Sequence, residues 1–102
     1  MSLKKYRRQL LVIIAEASLE KLLVEDVMRL GAHGYTVTDV RGSGASGTRE
    51  GIWEVDRTVR MEILCEGAVA DVIAEEVMRR YATNYGLSLY FTEVDVLRPE
   101  KY

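Results

Sequence analysis

Glu25-Asp26-Val27-Met28-Arg29 and Glu75-Glu76-Val77-Met78-Arg79 are nearly one stretch written twice, 50 residues apart. A fixed internal spacing of this kind organises everything else in a chain. Outward from the pair the match holds: Ile13 meets Ile63, Glu16 meets Glu66 and Tyr35 meets Tyr85. The apolar phase agrees too, since Leu19, Leu22 and Leu23 fall on Val69, Val72 and Ile73. Each half is the same structural unit.

That unit reads strand, helix, strand. Leu10 to Ala15 is apolar throughout and too short for a typical helix, which is the pattern of a central strand covered on both faces. Ser18 is the expected N-cap of a helix whose stripe is Leu19, Leu22, Leu23, Val27 and Leu30. Gly31 is its expected stop. Tyr35 to Val40 alternates β-branched and polar residues as a second strand. In the second half, Thr58 to Cys65 puts Val59, Met61, Ile63 and Cys65 on one strand face. Val69, Val72, Ile73, Val77 and Tyr81 mark a helix, and Leu87 to Val96 closes the unit. Two consecutive βαβ units with right-handed crossovers predict an α+β, ferredoxin-like βαβ-βαβ sandwich. It has a four-stranded antiparallel sheet with both helices on one face. Strand one is apolar on both sides, and a large open apolar sheet face is rare on a monomer. Other copies in a cyclic assembly are expected to cover it.

The chain has 102 residues, 48% of them apolar and 29% charged. Residues 1–102 are read as one globular domain with one core. The longest apolar run falls far short of the roughly 18 residues of a membrane span. No signal peptide is read at the N-terminus, and a single Cys rules out an internal disulfide, so the cytoplasm is the expected compartment. One His (His33) and one Cys (Cys65) do not make a structural zinc site, and no metal is expected. A net charge of −2 with dispersed Lys and Arg argues against non-specific nucleic-acid binding. The basic cluster Lys4, Lys5, Arg7 and Arg8 reads as a solvated strand lead-in.

The segment Arg41 to Arg57 is longer than a hairpin connection needs and holds four of the eight glycines, with no strand or helical period in its first ten positions. Gly42, Ser43 and Gly44 are suited to converge backbone amides on an anion. Arg41, Arg49 and Arg57 add forked donors for phosphate or carboxylate. The same composition also reads as a plain linker, against which Trp53 weighs slightly. Arg60 and Glu62 share the polar face of their strand, as a salt bridge, a subunit contact or a ligand-facing pair. Thr36 offers a hydroxyl to a base edge or to solvent. Gly86, after Tyr85, is expected to take a backbone conformation closed to other residues. His33 reads as a turn residue, Cys65 as buried and inert, and Tyr81, Tyr85, Tyr90 and Phe91 as core and interface.

A family resemblance emerges from these residues. Gly31-Ala-His-Gly34-Tyr-Thr36-Val-Thr-Asp-Val-Arg41-Gly42-Ser-Gly44 closely resembles the Gly-x-x-Gly-x-Thr-Val-Thr-x-Val-x-Gly-x-Gly pattern of PII signalling proteins. Arg60-Met-Glu62-Ile-Leu64 resembles the strand that follows their long T-loop, which here is residues 41–57. Tyr81 to Leu87, Tyr90 and Glu93 to Leu97 look most like the PII-like branch linked to bicarbonate transporters and carboxysomes. The resemblance implies a homotrimer binding adenine nucleotides in clefts between subunits. Thr36, Glu62, Leu64, Tyr85, Gly86 and Leu87 would surround adenine, with Gly42, Ser43, Gly44 and Arg49 at the phosphates. It also implies bicarbonate as a co-ligand, for which Arg41, Ser46 and Arg57 are the candidates, and a transporter or carboxysome protein as partner through the T-loop.

Departures from the pattern sharpen the expectation. No Tyr lies between Arg41 and Arg57, so T-loop uridylylation is not expected. Ala45 and Ser46 replace the Gln of PII proteins, which argues against 2-oxoglutarate. Tyr85-Gly86-Leu87-Ser88 replaces Gly-Asp-Gly-Lys, and the lost lysine favours ADP or AMP over a triphosphate. The chain stops at Tyr102 without the cysteine-containing extension of some members, so no redox switch is expected there. The reading is a non-enzymatic sensor. The alternative is a trimeric structural or metal-tolerance protein of the CutA type without nucleotide binding. An acylphosphatase lacks its arginine–asparagine pair here, and an RNA-binding module lacks aromatic residues on strand Thr58–Cys65.

Overall fold

The computed structural model describes residues 2–44, 47–49 and 57–102. Its elements are β1 (Tyr6–Glu16), α1 (Glu20–Arg29), β2 (Thr36–Val40), β3 (Gly42–Gly44), β4 (Gly47–Arg49), β5 (Thr58–Cys65), α2 (Gly67–Tyr81) and β6 (Ser88–Val96). Four strands form a sheet in the order β2-β5-β1-β6, each neighbouring pair antiparallel. This is the expected βαβ-βαβ arrangement, with β5 inserted between the parallel strands β1 and β2.

Strand parity assigns the two faces. Leu11 pairs with Ile63 and Ile13 with Met61. Together with Ala15 and Cys65 these side chains meet Leu19, Leu23 and Val27 of the first helical unit and Ala70, Ile73, Val77 and Tyr81 of α2. All of them are buried, so both helices share one sheet face. A one-residue slip in register would turn this whole set to the opposite side.

Strand β1 runs four residues further toward the N-terminus than its apolar stretch. The added polar residues are held across β6, where Arg7 pairs with Glu93 at 2.6 Å and Asp95 at 3.2 Å. The basic cluster is thus partly strand. At the far end Ser18 is not the helix cap; its hydroxyl donates to the Glu16 carboxylate at 2.7 Å, and a 3₁₀ turn over Ala17–Leu19 leads into α1. Helix α1 ends as expected. Gly31 sits at φ +115°, its N–H reaching the Met28 carbonyl at 3.4 Å while the Ala32 N–H bonds to the Val27 carbonyl at 3.0 Å. That pair of reverse bonds is the Schellman closure. Gly86, for which the same freedom is expected, does not need it: Gly31 is the one left-handed residue among those described.

Leu22 and Val72 depart from the expected stripes. They are 44% and 48% exposed, one in each repeat. At about 100° of rotation per residue, each lies a quarter turn or more from the buried line through Leu23 or Ile73. The outer face of β1 is only partly covered within one chain, Leu10 and Ile14 being half-buried. Val12 is fully buried within this one chain. It lies between Glu62 and Tyr90 in the register. Arg60 donates to both neighbours, to Glu62 at 2.9 Å and to the Tyr90 hydroxyl at 2.8 Å, so a polar bridge crosses the strand above it.

The glycine-rich segment begins as a ribbon. Gly42 pairs with Arg49, Ser43 with Thr48 and Gly44 with Gly47. Glycine lacks the side-chain alternation from which a strand is read, so this pairing carries no signal in the sequence.

Candidate functional site

Three expected site residues meet in one cleft. Thr36 opens β2 and pairs with Glu62 of β5, and Leu64 lies two residues on along the same face. They line a cavity of about 260 Å³ together with His33, Gly34, Tyr35, Lys101 and Tyr102. That volume is below the roughly 300–1,000 Å³ enclosing a whole drug-sized ligand, and suits part of one. Glu62 is held by Arg60, whose other contact is Tyr90, so its carboxylate is oriented along the strand rather than swinging free. A carboxylate offers only acceptors, and a threonine hydroxyl offers both a donor and acceptors, a pair able to read the edge of a purine.

Lys101 and Tyr102 carry no signal in the sequence. They enter by tertiary return: after β6, a 3₁₀ turn over Pro99–Lys101 brings the chain back toward β2 and β5. Arg8 of β1 donates to the Pro99 carbonyl at 3.3 Å, fixing the turn. No local pattern announces such a long-range return.

The remaining expected residues lie elsewhere. Val40 pairs with Thr58, so Arg41 and Arg57 each lie one residue beyond the last pair, at the neck of the glycine-rich segment, and both are exposed. The Gly42–Arg49 pairing sets the backbone of Arg49 opposite the first glycine. Gly42, Ser43 and Gly44 form an extended strand. Successive amides then alternate in direction, so convergence on an anion requires the backbone to change. This corrects the expected loop geometry. Ser46 and Trp53 lie outside the described residues.

Tyr85, Gly86 and Leu87 form the turn between α2 and β6. Its start is fixed by the Tyr81 carbonyl, which accepts from Asn84 N at 3.2 Å and Tyr85 N at 3.0 Å. The Leu87 amide returns to the Tyr85 carbonyl at 3.0 Å. The Tyr85 ring packs edge-on against Tyr81, centroids 6.2 Å apart.

Strand geometry measures the separation of these groups. Thr36 is level with Val12 through Glu62, whereas Leu87 precedes Ser88, which pairs with Ile14. At about 3.4 Å per residue and 4.8 Å per strand, the turn lies roughly 15–20 Å from Thr36. Gly42 lies about 20 Å from Thr36 along β2. No single purine spans these groups within one chain. Thr36, Glu62 and Leu64 form one cluster on β2 and its neighbour; the Tyr85–Leu87 turn stands at the opposite edge of the sheet, beside β6, and the ribbon, by the same measure, lies roughly 15–20 Å from that turn.

Among the described residues there is no group of three His, Cys, Asp or Glu able to hold a metal. Cys65 is buried, which with nearby Asp71 and Glu66 pushes its thiol up to about 11, out of the reactive range. No described helix is long and apolar enough to cross a membrane.

Known proteins share this fold. The family model described as nitrogen regulatory protein P-II matches residues 8–101. The crystal structure of a chain described as a PII-like signalling protein from Thermus thermophilus is 40% identical, with 98% of this chain and 99% of that chain covered and a TM-score of 0.84. CPII from Thiomonas intermedia, a nitrogen regulatory PII-like protein bound to ADP, AMP and bicarbonate, is 22% identical over 98% of this chain and 97% of its own, with a TM-score of 0.87. At that identity the likeness to CPII is one of fold. No match was found among curated proteins.

Proposed function

The chain belongs to the nitrogen regulatory protein P-II family, and from that premise we propose that it is a non-enzymatic signalling protein that binds ADP or AMP between adjacent copies of itself. The observation that carries the reading is the division of the site. Thr36, Glu62 and Leu64 share one cleft, while the expected phosphate residues lie beyond the far end of β2 and the turn residues stand at the opposite edge of the sheet, beside β6. A cyclic homotrimer joins the Thr36 cleft of one copy, as one half-site, to the Tyr85–Leu87 turn of the next, as the other. Glu62 accepts from the exocyclic amine of adenine, and Thr36 and the backbone around Gly86 complete the ring. Gly42, Ser43, Gly44 and Arg49 meet the phosphates, whose charge favours rearrangement of the extended ribbon into converging amides.

Binding acts as a switch because the ligand favours one state of the T-loop over the other. The loop then contacts a partner in the cytoplasm, for which a bicarbonate transporter or a carboxysome protein is our candidate. Bicarbonate is the proposed co-ligand. Arg41 and Arg57 at the neck of the loop supply charge for it, and CPII, of the same fold, binds bicarbonate with adenine nucleotides. The family match favours this reading over the CutA-type alternative.

Calorimetry with ADP and AMP, with and without bicarbonate, tests the proposal, with sedimentation to count the copies. Saturable adenylate binding by a trimer is expected, tighter when bicarbonate is present. A monomer, or no binding at millimolar adenylate, refutes the reading. Equal affinities in the two titrations remove bicarbonate alone.

A further inference from the structure

The buried carboxylate of Asp26 has no part in the site described above. It lies on α1 and is 3% exposed. Its Oδ2 accepts the Tyr81 hydroxyl at 2.6 Å. Its Oδ1 accepts Arg80 Nη1 at 2.6 Å and Arg29 Nη2 at 3.2 Å. The Arg80 guanidinium also lies over the Tyr81 ring, 5.4 Å from its centroid. The Tyr81 ring is thus fixed at its hydroxyl and along its face. The same residue holds the next turn twice, by its carbonyl to Asn84 and Tyr85 and by its ring against Tyr85.

The internal repeat supplies a comparison within the molecule. Asp26 corresponds to Glu76 and Arg29 to Arg79. Glu76 pairs with Arg79 along its own helix, and that arginine is 69% exposed. Among these two acids, Asp26 hydrogen-bonds into the other half of the fold, whereas Glu76, although it lies in the field of Arg29 and Arg80, hydrogen-bonds within its own helix. A buried ion pair is weak support for stability, because desolvation offsets the attraction. Its more telling consequence is geometric.

We propose that Asp26 is a positioning residue for the Tyr85–Leu87 turn, acting through the anchored ring and carbonyl of Tyr81. The inference rests on the reading above only in giving that turn a nucleotide to meet. Helix α1 of the first repeat thereby sets a binding segment of the second.

Hydrogen exchange at residues 82–87 and ADP calorimetry test it on the full chain. Tyr81→Phe removes one hydroxyl and keeps the ring, and Asp26→Asn keeps the shape. Both are expected to speed exchange in 82–87 and weaken ADP by on the order of tenfold, the scale of one lost buried hydrogen bond. Glu75→Gln, on the exposed face of α2, is expected to change neither. Unchanged exchange in Tyr81→Phe and Asp26→Asn overturns the inference. So does faster exchange with ADP affinity intact. If the parent protein binds no adenylate, the proposed function fails, and exchange alone decides whether Asp26 positions the turn.

Discussion

Glu62 shows how one residue serves two demands. Its carboxylate is tethered by Arg60, yet it borders the cleft beside Thr36. A solvent-screened pair of this kind contributes little to folding. Glu62→Ala is therefore expected to leave thermal stability nearly unchanged. ADP affinity, measured by calorimetry, should fall about 10–100-fold, the range for losing a hydrogen bond to a charged group. Tyr81 carries the opposite balance, toward structure. Burial, then its hydrogen bond to Asp26, push its phenol from 10.0 up to about 12. The folded state holds that proton more tightly than the unfolded chain. The resulting stabilisation is complete below about pH 10 and lost as pH rises toward about 12. Denaturation midpoints across that window should fall less steeply in Tyr81→Phe than in the parent.

The helix ends and the glycine-rich ribbon differ in what their sequence announces. Gly31 both stops α1 and takes the φ that a side chain resists. A Cβ there would sit 3.7 Å from Val69, an ordinary contact, so Gly31→Ala is costly through its backbone rather than by collision. Urea denaturation should show a loss of about 1–2 kcal/mol, the cost of a left-handed residue with a side chain. Strand β5 offers a larger effect. Ile63 is fully buried between the helices and the sheet. Ile63→Ala should cost about 2–5 kcal/mol by the same measurement. By contrast, β3 and β4 contain three glycines, and their pairing is set by backbone hydrogen bonds rather than by a patterned face.

At the scale of the whole molecule, the half-sites make a distinct claim. Glu62→Ala damages one half and Leu87→Asp the other. In trimers re-formed from an equal mixture of the two variants, a quarter or so of the clefts join two intact halves by chance pairing. Calorimetry should then recover about a quarter of the parent's ADP sites. A site contained within one copy would recover none. On the proposed reading, loop opening and partner binding belong to this scale as well, because a ligand held between copies would couple their loops.

The repeat at 50 residues, the order of elements, the stop at Gly31 and the helix-facing strand residues were all determined by the sequence alone. Each rests on spacing between near neighbours or on identity between halves, and periodicity survives in one dimension. The motif also singles out Thr36, Glu62 and Leu64, which the fold then places in one cleft. Only the tertiary structure decided what meets across long separations. It brought Lys101 and Tyr102 to Thr36, buried Val12 beneath the Arg60 bridge, and tied Asp26 to Tyr81. Those contacts join residues from about 30 to 66 positions apart, set by sheet order and chain return, which no local pattern encodes.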